Sequence, residues 1–129
     1  MATVSYERDA DRSLIADRKV AILGYGSQGH AHALNLLESG VDVRVGLREG
    51  SSSRAKAESA GLAVTDLASA AAEADLIMML LPDTDIGPAY EEFVAPNLND
   101  GDALFFAHGF NVRFGYVKAP EGVDVAMVA

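Results

Sequence analysis

Six short apolar runs are spaced along the chain, and each has the length and composition of a β-strand. They lie at Lys19–Leu23, 41–45, 62–64, 75–81, 103–107 and 123–128. The run at 76–81 is apolar at every position, which is typical of a parallel strand covered on both faces. Pro82 follows this run and ends the predicted strand, because proline cannot donate to a strand ladder.

Helical patterns separate these runs. They occupy 27–39, 55–60, a stretch from Asp66 through residue 74, and 91–98. Gly40 and Gly61 stand where glycine commonly terminates a helix, and Asp66 is placed to cap the start of one. Strands and helices that alternate over such short connections predict a doubly wound α/β domain. We expect one domain over 1–129, with a mainly parallel sheet and helices on both faces.

A G-x-G-x-x-G motif follows the first strand and opens the first helix. It consists of Gly24, Tyr25, Gly26, Ser27, Gln28 and Gly29. In this context the first glycine permits a tight turn, the second lets backbone approach a diphosphate, and the third allows close packing of helix on strand. The helix N-terminus adds a positive dipole end. The motif predicts a Rossmann-type dinucleotide site, although the same glycines could serve only a tight turn.

The end of the second strand bears on which dinucleotide is bound. NAD-binding domains carry an acid there that holds the ribose 2′-hydroxyl, and this chain has none at that position. Arg48, Ser51 and Ser53 instead offer the charge and small donors that a 2′-phosphate needs. Glu49 would repel a phosphate if it pointed inward, and a solvated Ser/Gly-rich loop is the simpler alternative. We predict NADP rather than NAD.

Composition excludes several classes of function. Nineteen acidic and ten basic residues give a net charge of −9, which argues against nucleic acids and anionic membranes as partners. The chain has no cysteine, so disulfides and Cys-based zinc sites are excluded. The acidic N-terminal stretch has no signal-peptide pattern, and no apolar run is long enough to cross a bilayer. We therefore expect a cytoplasmic protein.

Three histidines are further candidates for chemistry. His30 and His32 are two residues apart and point in different directions on a helix, so we interpret them as surface or packing residues. His108 follows the predicted strand at 103–107, which places it at the carboxyl edge of the sheet where ligands bind. It is a candidate catalytic residue, and a buried structural histidine is the alternative.

The motifs together resemble one enzyme family. The stretch 19–33, which contains the glycine motif, resembles the nucleotide-binding signature of ketol-acid reductoisomerases. The segments at 46–51, 80–83, 107–111 and 123–129 resemble the same family in the same order. The resemblance therefore extends over essentially the whole chain.

The resemblance implies an NADPH-dependent enzyme of branched-chain amino acid biosynthesis. Such an enzyme converts 2-acetolactate or 2-aceto-2-hydroxybutyrate to a 2,3-dihydroxy acid by Mg²⁺-assisted alkyl migration and hydride transfer. By resemblance, Tyr25 to Gln28, Arg48, Ser51, Ser53 and the loop at Asp83 contact NADP. His108 corresponds to the family's active-site histidine. We expect the complete protein to act on this small-molecule substrate as a homo-oligomer.

Two departures from the family qualify this interpretation. Family members often carry glutamine shortly after the Leu-Pro-Asp segment, whereas residues 83–86 here read Asp-Thr-Asp-Ile. Family members are also much longer, and their magnesium-binding carboxylates lie in a helical C-terminal domain, so we assign no metal ligand in this chain. The sequence stops at Ala129, directly after the predicted strand at 123–128, which favours a part of a longer protein, with an edge strand at a true C-terminus as the alternative. Alternative functions are a hydroxy acid dehydrogenase module and a non-catalytic nucleotide sensor.

Overall fold

The structure of the chain is a computed structural model that describes residues 18–25, 27–106 and 121–127, without the side chains of residues 27, 28, 83, 84 and 127. Six strands form one sheet in the order β3-β2-β1-β4-β5-β6, and every neighbouring pair is parallel. The strands are β1 (Lys19–Leu23), β2 (Asp42–Leu47), β3 (Ala63–Asp66), β4 (Leu76–Met79), β5 (Ala103–Phe106) and β6 (Asp124–Met127). This order confirms the predicted doubly wound, Rossmann-type architecture.

Helices occupy the connections between the strands. They are α1 (Ser27–Glu38), α2 (Ser53–Ser59), α3 (Leu67–Glu73) and α4 (Asp83–Ala89), and α4 continues through a π-helical turn (Tyr90–Val94) into a 3₁₀ turn (Ala95–Asn97). Pro88 lies inside α4 and has no N–H to donate to the carbonyl of the preceding turn. The wider π-helical turn begins two residues after it.

Two hydrophobic cores cover the two faces of the sheet. Along β1, Val20 and Ile22 point into the core that contains residues of α1 and α2, whereas Ala21 and Leu23 point into the core formed with α3 and α4. All four side chains are fully buried. A strand buried on both faces has no polar positions to alternate with apolar ones, which explains its unbroken apolar sequence.

Two local signals in the sequence are confirmed. Asp66 caps α3, because its Oδ1 accepts a hydrogen bond of 2.7 Å from the backbone N–H of Ser69. Gly40 ends α1 with a φ of +80°, a conformation that residues with a Cβ rarely adopt. Single residues in the sequence thus predicted where α1 ends and where α3 begins.

Other boundaries differ from the prediction. β2 extends two residues beyond the predicted 41–45, so that Arg48 is the first residue after it, and β4 is shorter than the predicted 75–81. The helix predicted at 91–98 belongs to a longer helical segment that begins at Asp83. Pro82 explains this start, because its fixed φ suits the position before a helix and its missing N–H costs nothing there.

Candidate functional site

Successive strands are added in opposite directions on the two sides of the β1–β4 pair, at the centre of the sheet. From β1 the chain runs to β2 and β3 on one side, and from β4 to β5 and β6 on the other. The helices that follow β1 and β4 therefore lie on opposite faces and leave a crevice between them at the carboxyl edge. Ligands of doubly wound sheets bind in such a crevice.

A cleft of about 660 Å³ occupies this position. Its lining residues come from the ends of β1, β2 and β4 and from the segments that follow them. They are Gly24, Tyr25, Leu47, Arg48, Ser51, Ser53, Leu80, Leu81, Pro82 and Asp85. The volume is in the range of small-molecule and cofactor sites. Five residues that the sequence assigned to cofactor binding therefore meet in one cleft: Gly24, Tyr25, Arg48, Ser51 and Ser53.

The first and third glycines of the motif are required by close contacts. Gly24 has a φ of +99°, and a Cβ there would lie 2.9 Å from the carbonyl oxygen of Leu80. A Cβ on Gly29 would lie 2.5 Å from the carbonyl oxygen of Gly24. Both distances are shorter than a carbon–oxygen contact permits. A larger residue at Gly24 would push the turn after β1 away from the end of β4, and one at Gly29 would push α1 away from that turn. The predicted steric roles of these two glycines are confirmed.

Arg48, Ser51 and Ser53 form the second wall of the cleft. The backbone N–H of Ser51 donates to the carbonyl of Arg48 (3.1 Å), and the N–H of Ser53 donates to Ser51 Oγ (3.3 Å), which folds the loop into a compact turn. Arg48 is exposed, and no ion pair is found for it in the described part of the chain. Glu49 is exposed and does not line the cleft. The wall thus carries one cation and two hydroxyl groups.

Tyr25 joins the glycine motif to the hydrophobic core. Its side chain is only 6% exposed and packs in the core on the α1 side of the sheet. Its Oη and His30 Nδ1 share a hydrogen bond of 2.9 Å. Burial raises the pKa of Tyr25 above its ordinary value, so the phenol is protonated at neutral pH. His30, interpreted from sequence as a surface or packing residue, is half-buried and paired with a residue of the cleft.

The sequence did not identify every lining residue. Leu47, Leu80 and Leu81 provide apolar surface, and half-buried Asp85 contributes a carboxylate. Asp85 lies in the first turn of α4, and its position shortly after Pro82 was the available signal. The sequence predicts a loop at Asp83, but this residue begins α4. The first turn of α4 therefore brings Asp85 to the cleft.

Several predicted site residues fall outside the described part of the chain. Gly26 and His108 lie outside the described residues, as do the side chains of Ser27, Gln28 and Asp83. Within the described ranges, no three His, Cys, Asp or Glu side chains form a group that could hold a metal ion. None of the helices in those ranges is long and apolar enough to cross a membrane.

Sequence comparison identifies the family. The family described as "Acetohydroxy acid isomeroreductase, NADPH-binding domain" matches residues 14–129. A ketol-acid reductoisomerase (NADP(+)) from Kocuria rhizophila is 66% identical over 129 residues, which are 100% of this chain and 38% of that protein. The corresponding protein from Saccharopolyspora erythraea is 63% identical over 130 residues, covering 100% of this chain and 39% of that protein. The chain thus spans less than two fifths of these relatives.

Solved structures agree with the sequence comparison. An NADH-preferring ketol-acid reductoisomerase from an uncultured archaeon superposes with a TM-score of 0.90 at 40% identity, over 95% of this chain and 39% of that one. A 3-hydroxyisobutyrate dehydrogenase from Mycobacterium tuberculosis has a TM-score of 0.66 at 20% identity, over 84% of this chain and 38% of that one, and shares the fold alone. The family match and the high identities agree with the fold and the glycine motif, and the chain belongs to the acetohydroxy acid isomeroreductase family as its NADPH-binding domain.

Proposed function

We propose that this chain binds NADPH in the 660 Å³ cleft, with the diphosphate at the glycine motif and the 2′-phosphate at Arg48, Ser51 and Ser53. The main support for the proposal is that one cleft is lined both by residues of the glycine motif and by Arg48, Ser51 and Ser53. A dinucleotide must span the carboxyl ends of β1 and β2 in this fold, and the cleft extends from Gly24 after β1 to Ser53 after β2.

The diphosphate needs hydrogen-bond donors and little bulk. We assign it to Gly24, Tyr25, Gly26, Ser27, Gln28 and Gly29, at the N-terminus of the twelve-residue helix α1. Backbone N–H groups and the helix dipole supply positive potential at such a terminus. This local potential matters because the whole chain carries a net charge of −9, which disfavours an anionic ligand at long range.

The 2′-phosphate requires a cation that is not already paired. Arg48 meets this requirement, since it is exposed at the mouth of the cleft and forms no ion pair with the described carboxylates. Its guanidinium can form charge-assisted hydrogen bonds to phosphate oxygens, and Ser51 and Ser53 supply hydroxyl donors beside it. We place the adenine between these residues and the apolar surface of Leu47, Leu80 and Leu81. We also place Asp83, the first residue of α4, near the cofactor.

Titration calorimetry with Arg48→Ala tests this assignment. A charge-assisted contact to phosphate contributes about 1.5–3 kcal/mol, so affinity for NADPH should fall roughly tenfold or more while affinity for NADH changes little. Arg54→Ala is the matched control, because Arg54 belongs to the same segment but pairs with Glu58 (2.7 Å) and does not line the cleft. Equal losses for NADPH and NADH in Arg48→Ala, or an equal effect of Arg54→Ala, would refute the placement of the 2′-phosphate.

For the complete protein we propose the reductoisomerase reaction of the family. The substrate would be 2-acetolactate or 2-aceto-2-hydroxybutyrate, and the product a 2,3-dihydroxy acid. NADPH supplies the hydride and Mg²⁺ assists the alkyl migration. The high identity to proteins named ketol-acid reductoisomerase (NADP(+)) supports this proposal. We place the metal ligands outside the 129 residues and treat 1–129 as one NADP-binding domain. We expect the complete protein to be a cytoplasmic homo-oligomer.

His108 is the residue of this chain that we propose to act in catalysis. In sequence it follows the end of β5 by two residues, and we propose that it lies at the carboxyl edge of the sheet, where an imidazole could transfer protons to and from the substrate. In the complete protein, His108→Gln should lower kcat by roughly 10²–10⁴ while leaving NADPH affinity unchanged. Full activity in this variant would remove His108 from the catalytic site.

Enzyme assays separate the domain from the complete protein. The 129-residue chain, supplied with NADPH, 2-acetolactate and excess Mg²⁺, should oxidise no NADPH above a control without protein, because Mg²⁺ needs oxygen ligands that we place elsewhere. The complete protein should turn over under the same conditions. Turnover by the chain alone would show that the metal site has been misplaced, and inactivity of the complete protein would favour a non-catalytic nucleotide sensor.

A further inference from the structure

A hydrogen bond joins Tyr25, the second residue of the glycine motif, to His30, the residue directly after the motif. It joins residues five apart in sequence, one just after β1 and the other in the first turn of α1. The two rings also meet edge to face, with centroids 5.2 Å apart and an interplanar angle of 72°. The segment closed by this pair is the one that carries the N–H groups assigned to the diphosphate.

Each end of this link is held in place by the fold. Tyr25 is buried among the residues that pack between α1 and the sheet, and it also lines the cleft. His30 is half-buried on α1, and the residue before it, Gly29, lies so close to the carbonyl of Gly24 that no Cβ could fit. Backbone contact and side-chain hydrogen bond therefore restrain the same short segment from two directions.

We propose that His30 is a positioning residue for the diphosphate of the cofactor, which acts through its hydrogen bond to Tyr25 by holding the glycine motif in its binding conformation. This inference rests on the proposed NADPH site. A loop that is already ordered in the free protein loses less conformational freedom when the cofactor binds. The affinity for the cofactor is therefore higher than it would be with a disordered loop. Because the diphosphate is common to NADPH and NADH, His30 contributes equally to both.

The chemistry of the pair allows the link to persist in both protonation states of the histidine. When Nδ1 carries no proton, the Tyr25 hydroxyl donates to it, and when Nδ1 is protonated the hydroxyl accepts. Burial raises the pKa of Tyr25, which keeps the phenol protonated at neutral pH. The function that we assign to His30 is thus structural ordering and requires no proton transfer.

Calorimetric titration of the full chain with NADPH and with NADH tests the proposal. His30→Ala should weaken binding of both cofactors by the same factor, about three- to tenfold, which is the usual effect of one hydrogen bond. His30→Asn should recover most of the loss, because its amide places a polar atom near the position of Nδ1. His30→Gln should not recover it, since its amide reaches the position of Nε2 instead. His32→Ala, on the same helix, is the matched control.

A double-variant cycle checks that the effect passes through Tyr25. Tyr25→Phe removes only the hydroxyl group. It should lower the affinity for both cofactors as much as His30→Ala does. The double variant should be no weaker than either single variant, because both remove the same bond. If His30→Ala does not fold, as judged by circular dichroism, the comparison of Tyr25→Phe with the unaltered chain decides the question.

The outcomes distinguish this inference from the proposed function. Failure of the unaltered chain to bind NADPH would overturn the cofactor site itself. If the unaltered chain binds and either His30→Ala or Tyr25→Phe binds equally well, only the function assigned to His30 is overturned. A loss confined to NADPH, or a loss that Asn does not reduce, would overturn it as well.

Discussion

Two arginines, one inside β2 and one directly after it, differ in their surroundings. Arg44 lies in the middle of β2, and its side chain is only 11% exposed. It pairs with Asp42 and Glu73, both at 2.8 Å. Arg48 follows the same strand directly, is exposed, and lines the central cleft without a carboxylate partner in the described part of the chain.

The difference follows from position along a parallel strand. A charge in the middle of the sheet must be neutralised by the protein itself, because burial without a partner is costly. A charge at the carboxyl edge stays in contact with water and can bind a ligand anion. The smaller cleft beside Arg44, about 350 Å³, also contains Asp42 and Glu73, so an anion entering it would meet two carboxylates. Of the two arginines, Arg48 is the one suited to a phosphate.

The largest expected effect comes from reversing the charge of Arg48. Arg48→Asp removes the proposed contact to the 2′-phosphate, adds repulsion, and provides the acid that NAD-binding domains use for the ribose 2′-hydroxyl. We expect NADPH affinity to fall by about 100-fold and NADH to become the preferred cofactor. Fluorescence or calorimetric titration with both cofactors measures the ratio.

Arg54→Asp is the control for this charge reversal, because it changes the net charge by the same amount at a side chain that is 59% exposed. It should shift both affinities slightly and leave their ratio unchanged. If Arg48→Asp still preferred NADPH, the contrast between Arg44 and Arg48 would not explain cofactor preference.

A smaller effect is expected from Arg44, and it concerns stability rather than binding. Arg44→Ala removes both ion pairs and the packing of the alkyl chain, and should lower the free energy of unfolding by about 1–2 kcal/mol. Arg44→Met should cost less than about 1 kcal/mol, because it keeps the alkyl packing and removes a buried Nε that has no partner. Urea denaturation measures both.

The partners of Arg44 support this expectation. Asp42 and Glu73 are 61% and 53% exposed, so water can solvate them when the guanidinium is removed. NADPH affinity should stay unchanged in both variants. A Met variant as unstable as the Ala variant would show that the ion pairs, and not the alkyl packing, stabilise this part of the sheet.

The smallest effect concerns Asp66, which lies at the same edge of the sheet as Arg48. Unlike the Arg48 side chain, that of Asp66 already has a partner within the described part of the chain. It pairs in register with Leu47 and caps α3. The backbone N–H of Ser69, and then its hydroxyl, lower the pKa of Asp66 below 3.8. The capping contribution is therefore complete above pH 3.8 and is lost as the pH falls through the lower pKa of the folded state.

Melting curves as a function of pH test this contribution. Asp66→Ala should lower Tm at pH 7, and its difference from the unaltered chain should narrow below pH 3.8. Asp66→Asn caps without titrating, so its advantage over Asp66→Ala should persist in acid. A constant difference between the unaltered chain and Asp66→Ala across the whole pH range would contradict the assigned cap.

The elements predicted best were those with strong local signals. β1 was predicted with its observed bounds, since an unbroken apolar run before a glycine has few alternatives. α4 was missed because Asp-Thr-Asp-Ile-Gly-Pro has no helical periodicity and contains both glycine and proline. Its residues Ile86 and Ala89 pack into the core that α3 and α4 form on one face of the sheet. This tertiary packing outweighs the poor helix propensity of the segment.

The sequence by itself determined the class of fold, the glycine motif and the charge at the end of β2, because each depends on neighbours a few residues away. The tertiary structure decided which charged side chains form ion pairs within the protein and which remain available to bind a ligand. Arg44 and Arg48 look alike in sequence, and only the packing of α3 against β2 brings Glu73, twenty-nine residues away, to the first of them. The link between Tyr25 and His30 depends likewise on how α1 packs against the sheet. Ion pairs and hydrogen bonds between distant residues arise from the folded geometry, which a local pattern does not encode.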